Sequence, residues 1–163
     1  MLVVSDTSPL SNLAIIGRLD LLREQFHLVR MPGAVARELS ALPDSAARLA
    51  LANALRDGWL VEMALPFSAP FPDNLAGLDA GEIEAIRLAL ALQADCILMD
   101  EKEGRQRASI LGLRTIGIIG VLIVARQTGR VESLAAEIAR LRTEAGFFVD
   151  RALEIRVLDI VGE

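Results

Sequence analysis

The chain has little of the chemistry that sulfur and imidazole side chains provide. Its 163 residues include one cysteine and one histidine. Cys96 cannot form an internal disulfide, and its apolar neighbours Ile97, Leu98 and Met99 predict a buried, unreactive thiol. His27 lies in the apolar run FHLV, so we expect it in the core or at a sheet edge and not in catalysis. The usual zinc ligands are therefore too few for a zinc site.

Sequence features of membrane, secreted and nucleotide-binding proteins are also absent. Apolar runs reach about eight residues, well short of the roughly 18 needed to span a bilayer. The start, MLVVSD, reads as a strand without a basic leader or an apolar signal region, so we expect a cytoplasmic protein. No G-x-S-x-G, G-x-G-x-x-G or Walker A sequence occurs, so a serine-hydrolase nucleophile and a nucleotide cofactor have no support.

What the chain does have is apolar content and acidic charge. Hydrophobic residues make up 53% and charged residues 24% of a length that suits one domain with a sizeable core. The net charge of -5 argues against a broadly basic surface that coats nucleic acid, but it permits a basic rim around an acidic pocket. Nearly all the basic residues are arginine, and Lys102 is the only lysine. The arginine guanidinium can bind a phosphate through two parallel hydrogen bonds, which a lysine ammonium cannot do.

Short apolar runs that end in polar residues predict buried parallel strands. The clearest are LVVSD at 2–6 and CILMD at 96–100, and further candidates are FHLVRMP at 26–32, WLVEM at 59–63 and LRTIGII at 113–119. Helix-like segments alternate with these runs. The alternation predicts an α/β fold with a parallel sheet and right-handed crossovers.

Helical periodicity fills the segments between the strands. The predicted helices are GAVARELSAL, DSAARLALANALRDG with Asp44 as N-cap, LDAGEIEAIRLALALQAD, EKEGRQRASILGL, VESLAAEIARLRTEAG and FFVDRALEIRVLDIVGE, which mixes helix and strand periodicity. We expect Gly104 to interrupt the fourth of these helices. The stretch at 64–77, rich in Pro, Ala and Phe, reads as a surface loop and as the best candidate for a mobile segment.

Four carboxylates occupy positions where the apolar pattern predicts burial. Two of them, Asp6 and Asp100, directly follow predicted strands. The carboxyl ends of the strands form the ligand-binding edge of an open α/β sheet, so these two acids are expected to face one another there. Capping of the next helix is the alternative for each acid taken alone.

The other two carboxylates, Glu38 and Glu82, lie on the apolar stripes of predicted helices. Glu38 shares its stripe with Val35, and Glu82 shares its stripe with Ile86. Glu82 also has the three-residue spacing of a capping box with Asp79. Capping accounts for three of the four acids but leaves Glu38 unexplained.

A bound cation accounts for all four carboxylates. Ionised carboxylates are rarely buried unless they are paired or metal-bound, and too few basic residues adjoin these four in the sequence. An all-oxygen ligand set favours Mg²⁺ or Mn²⁺ over zinc. A carboxylate cage that also admits phosphate oxygens suits metal-assisted hydrolysis of phosphodiester bonds.

At these acids the chain resembles the PIN-domain ribonucleases, a family that includes the VapC-like toxins of prokaryotic toxin-antitoxin pairs. The resemblance rests on VVSDTSPLSNLA at 3–14, VARELS at 35–40 and GEIEAIRLALALQADCILMDEKEGRQRA at 81–108. The stretches DTSPLSNL and LDAGEIEAI point to a PIN subgroup of predicted nucleic-acid-binding proteins. The motifs organise about residues 1–125 of an expected single domain, 1–163, that ends in a helical extension over about 131–163.

The resemblance implies a three-layer α/β/α fold with a central parallel sheet and divalent-metal-dependent cleavage of single-stranded RNA. The implied catalytic and metal-binding residues are Asp6, Glu38, Glu82 and Asp100, with Mg²⁺ or Mn²⁺ orienting and activating the attacking water. The third acid is Glu where the family more often has Asp, so Asp79 is an alternative ligand. The implied partners are single-stranded RNA, an antitoxin protein and a second copy of the chain.

Polar residues near the acids are candidates for contacts with substrate. Thr7, Ser8 and Asn12 follow Asp6 closely enough to position a phosphate or a metal-bound water, although local turns and helix caps are the alternative. On the helix after the fourth acid, Arg105 lies one turn from the site and is the expected contact with the RNA backbone. A solvated helix face is the alternative for that arginine.

Two other functions stay open. An aspartyl-phosphate phosphotransferase fits poorly, because Ser8 replaces the second acid of its D-x-D motif and Lys102 opens a helix instead of ending a late strand. The other is a PIN relative that binds RNA or protein without catalysis, since carboxylates alone do not demonstrate turnover.

Overall fold

A five-stranded parallel sheet forms the centre of the molecule in the computed structural model, which describes residues 1–163. Its strands, numbered along the chain, are β1 (Val3–Ser5), β2 (Val29–Pro32), β3 (Leu60–Met63), β4 (Cys96–Leu98) and β5 (Thr115–Ile116). They lie in the order β3-β2-β1-β4-β5, and every neighbouring pair is parallel. The parallel sheet predicted from the apolar runs is confirmed.

Helices cover both faces of the sheet and complete the expected three-layer α/β/α fold. They are α1 (Thr7–Ile15), α2 (Asp20–Phe26), α3 (Gly33–Ser40), α4 (Ser45–Arg56), α5 (Ala80–Ala91), α6 (Lys102–Ile110), α7 (Ile118–Gln127), α8 (Leu134–Glu144) and α9 (Arg151–Val161). The predicted cap of α4 is confirmed, because the Asp44 side chain accepts a hydrogen bond from the Ala47 N–H at 2.7 Å. None of the helices combines the length and the apolar character that crossing a membrane requires.

Alternation along the strands sends neighbouring side chains to opposite faces of the sheet. On β1, Val3 packs into the larger apolar core, which includes side chains of α1 to α4 and α7 to α9. The next residue, Val4, packs on the other face with Ile86 and Ala89 of α5 and Ala108 of α6. Because both faces are covered, the strands appear in the sequence as continuous apolar runs.

The sheet grows in opposite directions from β1. The crossovers to β2 and β3 lead one way, and β4 and β5 lie on the other side. Loops that leave β1 and β4 therefore diverge at the carboxyl edge and open a crevice, the usual ligand site of such sheets. Ser5 pairs with Leu98 in the register, and the Asp6 N–H donates to the Leu98 carbonyl at 2.9 Å. Asp6 and Asp100 thus emerge from adjacent strands at this crevice.

Four local expectations were wrong. The strand expected at 26–32 begins at Val29, because Phe26 still belongs to α2. Strand β5 covers only two residues of the expected 113–119, because α7 begins at Ile118. His27 is exposed, with a φ of 64° at the C-terminal end of α2, so it lies neither in the core nor at a sheet edge. Helix α6 continues without interruption through Gly104, which is buried.

The connection at 64–77, expected to be a mobile loop, is bonded to the helices beneath it. Arg87 of α5 donates to the carbonyl of Pro70 at 2.8 Å. Arg107 of α6 donates to the carbonyl of Asn74 at 2.6 Å, and Asn74 lies within a short 3-10 turn of the connection. These bonds hold the connection against the layer formed by α5 and α6.

The C-terminal helices are tied to the rest of the chain by charged side chains. Glu137 on α8 is 4% exposed and pairs with Arg18, which lies between α1 and α2, at 2.7 Å. Glu163 accepts hydrogen bonds from the Ala135 N–H at 3.0 Å and from Arg126 on α7 at 2.6 Å. The hydrogen bond from the Ala135 N–H has the largest effect on the pKa of Glu163 and the bond from Arg126 the next largest. Together they lower this pKa to about 2.

Candidate active site

Asp6, at the end of β1, lies among the other acids of the crevice. The residue is 3% exposed, and although it occupies the N-cap position of α1, its side chain makes no capping hydrogen bond. Burial raises the pKa of Asp6 to about 7, a backbone hydrogen bond from Thr7 opposes the rise, and the charges of Asp79, Glu82 and Glu38 add to it. Helix capping therefore does not account for Asp6, and three further acids are close enough to repel it.

Asp100, beyond the end of β4, is held by two hydrogen-bond donors. Its Oδ1 accepts from the Ile118 N–H at 2.7 Å, and its Oδ2 accepts from the Ser8 hydroxyl at 3.2 Å. The Asn12 amide in turn donates to the Ser8 hydroxyl at 3.0 Å. Burial raises the pKa of Asp100 to about 6, while these two bonds and the charge of Arg105 oppose the rise. Asp100 thus binds the start of α7 and does not cap α6, the helix that follows it directly.

Glu38 reaches the crevice from α3. Its neighbours Val35 and Leu39 are buried and Glu38 is half-buried, as its place on an apolar stripe predicts. The Thr7 hydroxyl donates to Oε2 of Glu38. A Cβ added to Gly81 would lie 2.9 Å from both carboxylate oxygens and 3.1 Å from the Thr7 hydroxyl. The starts of α1 and α5 therefore meet the Glu38 carboxylate directly.

Glu82, on α5, combines the two placements that its sequence position left open. Its Oε2 accepts from the Asp79 N–H at 3.2 Å, while Oδ1 of Asp79 accepts from the Glu82 N–H at 2.8 Å, so the capping box is confirmed. Its other oxygen, Oε1, is buried and has no hydrogen-bond partner. Burial raises the pKa of Glu82. Since an unpartnered buried carboxylate oxygen is costly, this atom is a candidate to receive a proton or a cation.

Gly104 gives the free oxygen of Glu82 its space. A Cβ added to Gly104 would collide with that oxygen and would lie 2.7 Å from Sδ of Met99. Helices α5 and α6 can approach this closely only because the position has no side chain. A lone glycine inside a helical pattern indicates a break as readily as a close contact, so the sequence pattern alone does not distinguish the two.

Arg105 lies beside Asp100, as the one-turn spacing predicts. Its guanidinium donates to the Met99 carbonyl at 3.3 Å, and its charge acts on Asp100. A Cβ added to Gly117 would collide with the Arg105 guanidinium and would lie 3.1 Å from Oδ1 of Asp100. Gly117 therefore leaves the room that both side chains occupy. Sequence reasoning missed this residue, because a glycine after a strand also reads as an ordinary turn.

The acids fit a hard divalent cation in their chemistry, although they do not surround one closely in this conformation. No group of three or more carboxylate, imidazole or thiol side chains is arranged so that it could hold a metal ion. Donor oxygens are nevertheless present, because Oε1 of Glu82 has no partner and burial disfavours the anion of Asp6. A cation here would stabilise both groups, and the all-oxygen set suits Mg²⁺ or Mn²⁺.

Comparing Glu82→Gln with Asp79→Asn should identify the third ligand. Both substitutions remove a charge and preserve helix capping, since Gln keeps an acceptor oxygen and Asn is a favoured N-cap. We expect Mn²⁺ affinity, measured by isothermal titration calorimetry, to fall about tenfold or more in Glu82→Gln. The loss should be smaller in Asp79→Asn, because Asp79 is exposed and already binds the Glu82 N–H.

The matched control for this comparison is Asp44→Asn, which makes the same chemical change at the cap of α4. Its Mn²⁺ affinity should equal that of the unsubstituted protein. A larger loss in Asp79→Asn than in Glu82→Gln would make Asp79 the ligand and would leave Glu82 a capping residue.

Comparison with known proteins identifies a family for the chain as a whole. A family model described as PIN domain matches residues 2–163. The match extends from β1 through α9, so it includes the C-terminal helices, to which the sequence motifs did not extend. No curated protein matches the chain.

Proposed function

The chain belongs to the PIN-domain family, whose members are generally nucleases, and on that basis we propose that it is a divalent-metal-dependent ribonuclease that hydrolyses single-stranded RNA. One observation carries the proposal beyond family membership. Asp6 and Asp100 end adjacent central strands at the point where the sheet reverses its growth, and Glu38 and Glu82 reach the same crevice from helices. This is the position where an α/β sheet offers its ligand site.

The carboxylates of the crevice supply the oxygens that the reaction needs. Asp6, Glu38, Asp100 and the free oxygen of Glu82 are the groups that would bind Mg²⁺ or Mn²⁺. The bound ion would lower the pKa of a water molecule and neutralise charge that develops on the phosphate. Burial of Asp6 and Glu82 excludes solvent from this part of the crevice and strengthens each electrostatic contact within it.

The polar residues of α1 hold the acids in position. The Thr7 hydroxyl binds Glu38, the Ser8 hydroxyl binds Asp100, and the Asn12 amide binds Ser8. Thr7, Ser8 and Asn12 were expected to contact substrate, but these hydrogen bonds favour a role in orienting the carboxylates. Supporting bonds of this kind typically contribute 10- to 100-fold in metal affinity or activity.

Gly117→Ala should displace the Arg105 guanidinium, and shift Oδ1 of Asp100 by at most a few tenths of an ångström, while leaving the fold intact. The guanidinium is the far end of a flexible side chain, and Gly117 has a φ of −95°, which alanine adopts freely. We therefore expect Tm to change by no more than about 2 °C. Affinity for fluorescent single-stranded RNA, measured in EDTA, should fall about fivefold or more, as in Arg105→Ala.

A double-variant cycle tests that interpretation. If Gly117→Ala acts only through Arg105, the double variant should bind RNA no more weakly than either single variant. Gln106→Ala, at an exposed neighbour on α6, is the control and should bind RNA normally. Losses that add in the double variant would show that Gly117 contacts the RNA or shapes the site independently of Arg105.

The proposed activity is tested by incubating purified protein with end-labelled single-stranded RNA of varied sequence. We expect cleavage in Mg²⁺ or Mn²⁺ and none in EDTA, with double-stranded RNA and single-stranded DNA as comparison substrates. Asp6→Asn prepared in parallel controls for contaminating nucleases. Absence of metal-dependent cleavage across all substrates, or equal cleavage by Asp6→Asn, would overturn the proposal.

The alternatives raised by the sequence receive different support. A phosphotransferase is not favoured, because Ser8 stands where its D-x-D motif needs a second acid, and the Ser8 hydroxyl donates to Asp100 at 3.2 Å. A PIN relative that binds RNA without cleaving it differs in the assay above, where it would bind RNA and release no product. A role as the toxin of a toxin-antitoxin pair, with an antitoxin and a homodimer, rests on the resemblance alone and stays a prediction.

A further inference from the structure

A groove of about 660 Å³ begins at Asp100 and follows the free edge of the sheet. Strand β5 is the outermost strand on this side, so no neighbouring strand covers its outer edge. One wall of the groove is formed by Ile119 and Ile123 of α7, and another by residues 147–149 between α8 and α9. Because Asp100 lines both the groove and the acidic crevice, the two are continuous.

Three cations line this groove, and none of them forms an ion pair. They are Lys102, Arg105 and Arg114, whereas Asp100 is the only acid among the lining residues. None of the three takes part in an ion pair. In a chain of net charge -5, this local excess of positive charge favours an anionic ligand.

The cations are placed at both ends of the groove. Arg105 lies beside Asp100, at the end that joins the crevice. Arg114 is exposed and immediately precedes β5, so the length of that strand separates it from Gly117 at the other end. Three residues of extended chain correspond to roughly 10 Å. The groove therefore offers two separate positions for negative charge.

Apolar and aromatic surface lies along the groove with these cations. Phe148 is 81% exposed at its rim, and Ile116 and Ile119 are half-buried in its wall. Exposed aromatic rings stack on nucleobases irrespective of base identity. An acidic peptide would also match the cations. A polynucleotide fits better, because a chain with one phosphate among the acids would continue into the groove without interruption.

We propose that this groove binds the nucleotides on one side of the scissile phosphate of single-stranded RNA. Arg105 binds next to the scissile phosphate, Arg114 binds a neighbouring backbone phosphate, and Phe148 stacks on a base. The assignment rests on the proposed ribonuclease function, since that function places the scissile phosphate at Asp100. Phosphate contacts and stacking carry little sequence information, so binding in the groove is largely independent of sequence.

The test measures binding without cleavage, by fluorescence anisotropy of 5′-fluorescein RNA octamers, oligouridine and a mixed sequence, in EDTA. Phe148→Ala should weaken both octamers about fivefold or more, the loss expected for one stacked base. Arg114→Gln should weaken them by a similar factor and reduce the slope of log affinity against log salt by about 0.7, the value for one phosphate of a single strand.

Matched controls on α9 are Ile160→Ala and Arg156→Gln, at exposed positions outside the groove. Both should bind RNA as the unsubstituted protein does. Unchanged RNA affinity and salt slope in Phe148→Ala and Arg114→Gln would overturn the proposal, and this is the result expected if the groove receives a polypeptide instead.

Failure of the groove assignment is distinguishable from failure of the ribonuclease proposal. If the protein cleaves RNA but Phe148→Ala and Arg114→Gln bind octamers normally, the groove assignment is wrong and the nuclease stands. If the two substitutions weaken binding but no metal-dependent cleavage occurs, the groove assignment stands for a protein that binds RNA without hydrolysing it.

Discussion

Asp6→Asn should reduce RNA cleavage about 10²- to 10³-fold or more, the cost of removing a preorganised electrostatic group from an active site. Asn is nearly the same shape as Asp but is neutral, so it binds a hard cation more weakly than a carboxylate does. In the absence of metal and at pH 8, where Asp6 is ionised, the same substitution should raise Tm, because it removes a buried charge that Asp79, Glu82 and Glu38 repel. Cleavage assays and thermal unfolding in EDTA measure the two effects on one preparation.

The opposite directions of these two effects make the prediction specific. A residue that served only the fold would lose stability and activity together. Asp44→Asn, the same change at the N-cap of α4, should alter neither quantity appreciably, because Asn is also a favoured cap. A fall in the Tm of Asp6→Asn would show that the Asp6 carboxylate stabilises the fold and would remove it from the site.

The metal-free protein should lose stability as pH rises from 5 to 8. Burial raises the pKa of Asp6 to about 7 and that of Asp100 to about 6 in the folded protein, whereas an aspartate in the unfolded chain has a pKa of about 3.8. Between these limits the folded protein holds protons that the unfolded chain has released, so the free energy of unfolding falls with rising pH. The contribution is fully present below pH 3.8 and is lost as pH rises through about 6 to 7.

The loss between pH 5 and 8 should be roughly 2 to 4 kcal/mol, because the folded protein keeps the proton of Asp100 up to about pH 6 and that of Asp6 up to about pH 7. Urea denaturation in EDTA at several pH values measures it. Glu163 does not interfere, because its lowered pKa affects stability only as pH falls from 4.5 towards about 2. Asp6→Asn should flatten the profile, and Mg²⁺ at pH 8 should restore stability to the unsubstituted protein by mass action. A flat or rising profile in the unsubstituted protein would contradict the assigned burial of Asp6.

Much of the placement of the acids follows from local patterns. The run VVSD places Asp6 directly behind a strand, and the helical period places Glu38 with Val35 on a buried stripe. The three-residue spacing of Asp79 and Glu82 predicts their capping box. These predictions succeeded because each depends on residues within one element or at its boundary.

Other features depend on elements that are distant in the sequence. Gly104 looked like a break in α6, because nothing within that helix indicates that Glu82 of α5 lies against it. For Asp100 the sequence leaves capping of α6 open as an alternative, whereas its Oδ1 binds the start of α7. The expected cage of four acids is also not closed in this conformation. Helical and strand periods describe which face a residue occupies and not which element covers that face.

By itself, the sequence determined the parallel α/β class, the acids available for chemistry and the element that carries each one. Only the tertiary structure decided which of these groups meet: Ser8 with Asp100 across 92 residues, the Ile118 N–H with Asp100 across 18, and Arg105 over Gly117. The physical reason is that local propensity and periodicity act over a few residues, while the strand order β3-β2-β1-β4-β5 and close packing bring distant residues together.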